Sequence, residues 1–243
     1  GKATLLLDVC SGTGTIGILA AMAAQSRLNL NPLAGVEAGS EPALAKGAMH
    51  VVGIELCDPA VANAVVNAER NGLKAFNGVD ESKENAISTT ASFVCGRAER
   101  ALPLLLRGTD TGSEGNSVDQ ASLPGANVGQ LSSWLKPYLR RNRSDAGSSD
   151  TVHEEELKVC AVVDPAREGL QQDCLKAIRG LTAIKRLVYI SCNPTKSLVR
   201  DGGLLCMPDT NNWTGPAFRP VRAYPVDLFP MSPHCELVVI FER

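Results

Sequence analysis

Short apolar runs alternate with helical patterns from the first residues of the chain. Thr4–Cys10 reads as a buried strand and Thr15–Ala24 as a helix of small residues. Val51–Leu56 is a second strand, followed by a helix to about Arg70. Asp58 is its expected N-cap, Pro59 its first helical residue, and Asn71-Gly72 its end. Ser92–Cys95, Lys158–Val163 and Arg186–Ser191 predict three more strands. Helices follow them over Ala98–Leu106, over Leu170–Arg179 and from Pro194 onward. Two late runs, about Arg219–Val226 and Cys235–Phe241, have no helix between them. Alternation of this kind, closed by a hairpin, predicts an α/β fold with a mostly parallel, doubly wound sheet and one antiparallel strand.

Two segments interrupt the order. Leu28–His50 is rich in Ala, Gly and Pro, and 108–150 holds six Gly and eight Ser without sustained periodicity. The second composition predicts a mobile surface insertion within a single domain spanning 1–243. Inside it, Leu131–Arg143 reads as a short basic helix or a solvated charged turn, with Lys136, Arg140, Arg141 and Arg143 as candidate phosphate contacts.

Composition narrows the class. Of 243 residues, 44% are hydrophobic and 21% charged, as in ordinary globular proteins. No apolar run approaches the ~18–20 residues of a membrane span. Leu5-Leu6-Leu7 is cut short by Asp8, so no signal peptide is expected, and an opening directly into a strand at Gly1 reads as a piece of a longer protein. A net charge of −2 excludes a polybasic nucleic-acid binder by composition, but leaves room for RNA held at a local patch. The eight cysteines form no C-x-x-C and there are three histidines, so zinc-finger and iron–sulfur spacings are missing and no metal is expected. Thiols beside apolar runs predict a reducing, intracellular compartment.

Chemistry concentrates at the ends of the predicted strands. After the first comes Asp8-Val-Cys10-Ser-Gly12-Thr-Gly14-Thr15-Ile-Gly17, a G-x-G-x-x-G opening a helix, which suits a nucleotide-like ligand but also a tight turn. The second ends at Glu55, a carboxylate placed to accept from ribose hydroxyls or to cap the surface. The fourth ends in Asp164-Pro165-Ala166-Arg167, without the aromatic that amino-methylating enzymes carry at the position of Arg167. The fifth ends in Ser191-Cys192-Asn193-Pro194, where Asn193 is the expected N-cap and the helix N-terminus would favour the Cys192 thiolate, making a nucleophile. Glu236 opens the last strand, where partial burial would raise its pKa toward that of a useful base.

Six ordered blocks resemble the tRNA (uracil-5-)-methyltransferase family: LLLDVCSGTGTIGI, GIELCDPAVANAVVNAERNGL, CGRAE, VDPAREGL, YISCNP and FRPVRAYPVDLFPMSPHCELVVIFER. The resemblance implies a Rossmann-like, S-adenosylmethionine-dependent methyltransferase fold with its last strands in a hairpin. It implies methylation of uridine carbon 5 in the tRNA T-loop, in cytoplasm or nucleus, through a cysteine–uracil adduct. Carried across by position, Cys192 matches the nucleophile and Glu236 the base. Glu55 and Asp164 match cofactor-site acids, Cys10, Gly12, Gly14 and Thr15 fall on the cofactor loop, and Asp164 and Arg167 lie toward substrate. Ala166 stands where the family usually has a second proline. A cofactor-holding F-x-Q segment and RNA-binding domains are expected upstream of Gly1. The alternatives are an NAD-dependent oxidoreductase, which leaves Cys192 and Glu236 without a role, and a non-catalytic RNA chaperone or scaffold on the same fold.

Overall fold

A computed structural model describes residues 4–30, 48–75, 89–107, 126, 128–129, 131–132 and 157–243. In chain order the elements are β1 (Thr4–Val9), α1 (Thr15–Leu30), β2 (Met49–Glu55), α2 (Asp58–Arg70), β3 (Thr90–Cys95) and α3 (Ala98–Arg107). They continue with β4 (Lys158–Val163), α4 (Gln172–Gly180), β5 (Ile184–Ser191), α5 (Ser197–Cys206), β6 (Arg219–Val226) and β7 (Glu236–Glu242). One seven-stranded sheet runs β3-β2-β1-β4-β5-β7-β6. β1 to β5 pair in parallel, and β7 lies antiparallel between β5 and β6. This is the doubly wound sheet the alternation predicts, with the closing hairpin that the methyltransferase resemblance implies.

The sheet is covered on both faces because its strands are apolar on both. In β1, the alternation of side chains sends Leu5, Leu7 and Val9 to one face, where they pack with Leu102 and Leu105 of α3 and Leu175 and Ile178 of α4. Leu6 points the other way, with Ile18 and Ala21 of α1, Val61 and Ala64 of α2, and Phe93 of β3. Period two puts Asp8 on that second face as well, fully buried against α1. A charged group inside the α1 layer is the first departure from a plain core.

Element boundaries differ from expectation in physically readable ways. Asp58 is the first residue of α2 and Cys57 the N-cap, with no side-chain cap bond; Pro59 still sits in the first turn, where a missing N–H costs nothing. Gly72 takes φ of +72° and closes α2 as expected. α5 begins at Ser197 rather than near Pro194, because 194–196 form a turn. Most of 31–47 and 108–150, including Lys136, Arg140, Arg141 and Arg143, lies outside the described residues. Within the second stretch, Val128 and Leu131 are buried in the core with α3 and β3, and the Ala126 N–H donates to the Phe93 carbonyl at 2.6 Å.

Leu131 is only 1% exposed. Leu131→Ala should therefore cost about 2–4 kcal/mol, as other buried leucine truncations do, read from the urea unfolding midpoint. An unchanged midpoint would show that this segment contributes nothing to the core.

Candidate active site

Strand register gathers the candidate residues at the carboxyl edge of the sheet. Val9 pairs with Ile54 on one side and Val163 on the other, so the next residues, Cys10, Glu55 and Asp164, stand in one row. On the far side, Ser191 pairs with Leu237 in the antiparallel β5–β7 ladder. Cys192 is the residue directly after the β5 side of that last pair, and Glu236 the residue directly before its β7 side.

The glycine loop is pinned before it meets any ligand. The Cys10 and Ser11 N–H groups both donate to the Ile54 carbonyl, at 3.0 and 3.2 Å, and Cys10 itself takes φ of +63°. Gly14, at φ +82°, packs where a Cβ would come 2.6 Å from the Phe93 ring, so glycine is required there twice over. Around Gly12 a Cβ would meet nothing within 4 Å; the loop faces open space. Glu55 ties the loop to β2: Oε2 accepts from Gly12 N at 3.0 Å, and Oε1 from Leu56 N and Cys57 N at 2.8 and 2.9 Å. Lone pairs remain on Oε2 for a ribose hydroxyl. Thr15 is exposed at the first position of α1.

Acids dominate this half of the crevice. Asp8 accepts from Gly17 N at 2.9 Å through Oδ2, while Oδ1 is buried without a partner, as is the Ser11 hydroxyl. Burial pushes the Asp8 carboxyl up to about 7, opposed by the Gly17 hydrogen bond and reinforced by the charges of Asp164 and Glu55. Cys10 is pushed up to about 11 by burial and then by Glu55, Asp8 and Asp164, which makes it a thiol and no nucleophile. Asp164 is raised by desolvation. Glu236 is raised by desolvation first and by Asp164 second, and its Oε2 is occluded without a partner. A concentration of negative potential beside open space suits a ligand that brings positive charge.

Cys192 is half-buried at the end of β5. The expected helix N-terminus is not beside it, since α5 starts at Ser197 with Lys196 as N-cap. The Asn193 side chain ties two loops together instead. Its Nδ2 donates to the Arg167 carbonyl at 3.1 Å, and its own carbonyl accepts from the Ser197 hydroxyl at 3.2 Å. The 192–196 loop is thereby fastened to the 164–170 loop. Arg167 itself is exposed and forms no ion pair among the described residues.

Two features lie outside what the sequence patterns indicate. Asp8 reads as one more strand residue, although its even position beside Leu6 places it on the α1 face. Cys95, in the CGRAE block, donates to Asp58 Oδ1 at 2.6 Å and closes the β3 end onto α2; its spacing from Asp58 carries no signal. Among the described residues no group of His, Cys, Asp and Glu could hold a metal ion, and no helix is long and apolar enough to cross a membrane.

No family model matches the chain. It is 31% identical to human tRNA (uracil-5-)-methyltransferase homolog A, over 99% of this chain and 25% of that protein. It is 33% identical to the homolog B protein of Danio rerio, over 98% of this chain and 33% of that one. By sequence, the chain is similar to a segment of the tRNA (uracil-5-)-methyltransferases. A third relative, zinc finger CCCH domain-containing protein 24 of Arabidopsis thaliana, is 31% identical over 100% of this chain and 31% of its own length. The chain therefore spans between a quarter and a third of the relatives it matches.

Asp8 gives a direct test of the electrostatics of this fold. Its folded pKa lies above its unfolded value, so the native state holds the proton more tightly and stability falls as pH rises from about 4 to about 7. The fall is on the order of 4 kcal/mol for a shift of this size. His50, lowered to about 4 by burial, loses stability in the opposite direction, as pH falls. Asp8→Asn should therefore be compared with the parent by unfolding midpoint across pH 4–8, since the difference curve cancels His50. The difference should grow in the variant's favour toward neutral pH; a flat difference would mean that Asp8 ionises freely.

Proposed function

We propose that the chain is the catalytic domain of an S-adenosylmethionine-dependent enzyme that methylates carbon 5 of uridine in the T-loop of tRNA. What supports this reading is that Cys192 directly follows, and Glu236 directly precedes, the last pair of the β5–β7 ladder, Ser191 with Leu237, while the charge of Asp164 reaches Glu236. Such a pair matches a reaction that needs both a nucleophile and a separate base.

The cofactor side fits the residues present. The open space before Gly12, the unpartnered buried oxygens of Asp8 and Ser11, and the acids Glu55 and Asp164 form a setting for a cationic nucleoside. S-adenosylmethionine, when bound, supplies an electrophilic methyl group on a positively charged sulfonium. Cys10, Gly12, Gly14 and Thr15 would line its loop, with Glu55 toward the ribose and Asp164 beside the reacting end. A nicotinamide dinucleotide fits poorly. The Gly12 N–H that would meet its pyrophosphate is already given to Glu55, whose charge would repel the phosphates.

On the substrate side, carbon 5 of uracil is too weak a nucleophile to be alkylated unaided. Addition of the Cys192 thiolate to carbon 6 makes carbon 5 enolate-like, dividing one difficult step into easier ones. Once carbon 5 carries its new methyl, Glu236 accepts the carbon 5 proton. Burial and Asp164 raise the pKa of Glu236, which strengthens it as a base. Loss of that proton expels Cys192 and restores the aromatic ring. Asp164 and Arg167 would orient the uracil edge, and a looped single strand lowers the cost of taking the base out of its stack.

The test uses the complete protein, unmodified tRNA and labelled S-adenosylmethionine. Cys192→Ala should lose both methylation and any covalent RNA adduct. Glu236→Gln should still add and methylate, but it cannot remove the proton, so a methylated protein–RNA adduct should accumulate and survive denaturing electrophoresis. Normal turnover by Glu236→Gln, or an adduct formed by Cys192→Ala, would overturn the roles assigned here.

A further inference from the structure

The segment Asp164–Gln171 brings two candidate residues to the crevice with no regular structure to hold it in place. Its anchors come from β5 and α5. Asp201 of α5 accepts from Leu170 N at 2.7 Å and from the Tyr189 hydroxyl at 2.6 Å through one oxygen, and from Arg200 Nε at 2.7 Å through the other. Arg200 then donates to the Glu168 and Leu170 carbonyls at 2.8 and 3.0 Å. Asp201 and Tyr189 are both fully buried. Gly169, at φ +78°, lies against the same carboxylate: a Cβ there would come 2.5 Å from Asp201 Oδ2. Tyr189 precedes Cys192 by three residues on the strand that carries the thiol.

A carboxylate removed from water is tolerated only when its lone pairs are filled, so this cluster has one low-energy arrangement. Through it, the height of the Asp164–Leu170 loop is referred to the strand that bears Cys192. We propose that Asp201, with Tyr189, is a positioning residue for uridine methylation: it fixes Asp164 and Arg167 relative to Cys192 and so sets the rate of the chemical step. The inference rests on the function proposed above. It assigns a role to groups that touch neither cofactor nor substrate, at a site where displacement by about 1 Å can cost about 100-fold in rate.

The experiment measures kcat and KM for tRNA methylation, the rate at which the RNA adduct forms, and the unfolding midpoint, all in the complete protein. The variants are Asp201→Asn, Tyr189→Phe and Gly169→Ala, assayed well below each midpoint. Asp201→Asn should lower kcat by about 100-fold and adduct formation in the same proportion, leaving KM for S-adenosylmethionine near that of the parent. Tyr189→Phe removes one hydroxyl from the same carboxylate, so it should lower kcat by about tenfold, and it keeps the test available if Asp201→Asn does not fold. Gly169→Ala acts on the same contact from the loop side, so its effect combined with Tyr189→Phe should fall short of the sum. Folded Tyr189→Phe and Gly169→Ala proteins with parental kcat would overturn the inference by showing a purely structural cluster. A parent protein that methylates no uridine would overturn the proposed function, and this inference with it, before any variant is compared.

Discussion

The site rests on strand register. Parallel pairing of β1 with β2 and β4 forces their carboxyl ends to the same edge, and the residues standing there are Cys10, Glu55 and Asp164. β7 returns antiparallel beside β5, so the end of one strand meets the beginning of the other, and Ser191 just before Cys192 pairs with Leu237 just after Glu236. A slip of one residue in either ladder would turn these side chains to the opposite face. The apolar alternation that fills both faces of the sheet is what prevents the slip. Core packing and site geometry are thus one constraint.

Electrostatics then divides the edge. Around the glycine loop, burial raises the proton affinity of Asp8, and the charges of Asp164 and Glu55 add to it. Burial and this crowding oppose ionisation of Asp8, and a cation placed beside it would relieve the cost. Toward β5 and β7 the loops carry the exposed Arg167 and Lys196, neither in an ion pair among the described residues. Glu236 stands between the two, its carboxyl raised by desolvation first and by Asp164 second.

Much of this is legible in the chain itself. The seven strands, the helices between them and the closing hairpin follow from the spacing of apolar runs, and Lys158–Val163 and Arg219–Val226 agree to the residue. The strand-end residues stand out because a polar group directly after an apolar run has few structural reasons to be there. What escapes such a reading is decided in three dimensions. Asn193 resembles a helix cap because Asn-Pro often opens a helix, but its side chain is used by the Arg167 carbonyl and the helix starts at Ser197. The expected dipolar activation of Cys192 goes with it. Asp201 gives no signal at all, since a single acid in a short helix reads as solvated until its three donors are seen.

Covalent capture of a uridine analogue tests the central claim most directly. The complete protein would be incubated with S-adenosylmethionine and a tRNA T-arm carrying 5-fluorouridine, whose carbon 5 fluorine cannot be removed by a base as the proton is. After digestion, mass spectrometry locates the modified peptide. The account predicts a methylated fluorouridine nucleotide bound to the peptide containing Cys192. No adduct, an adduct at any of the other seven cysteines, or one lacking the added methyl would contradict it.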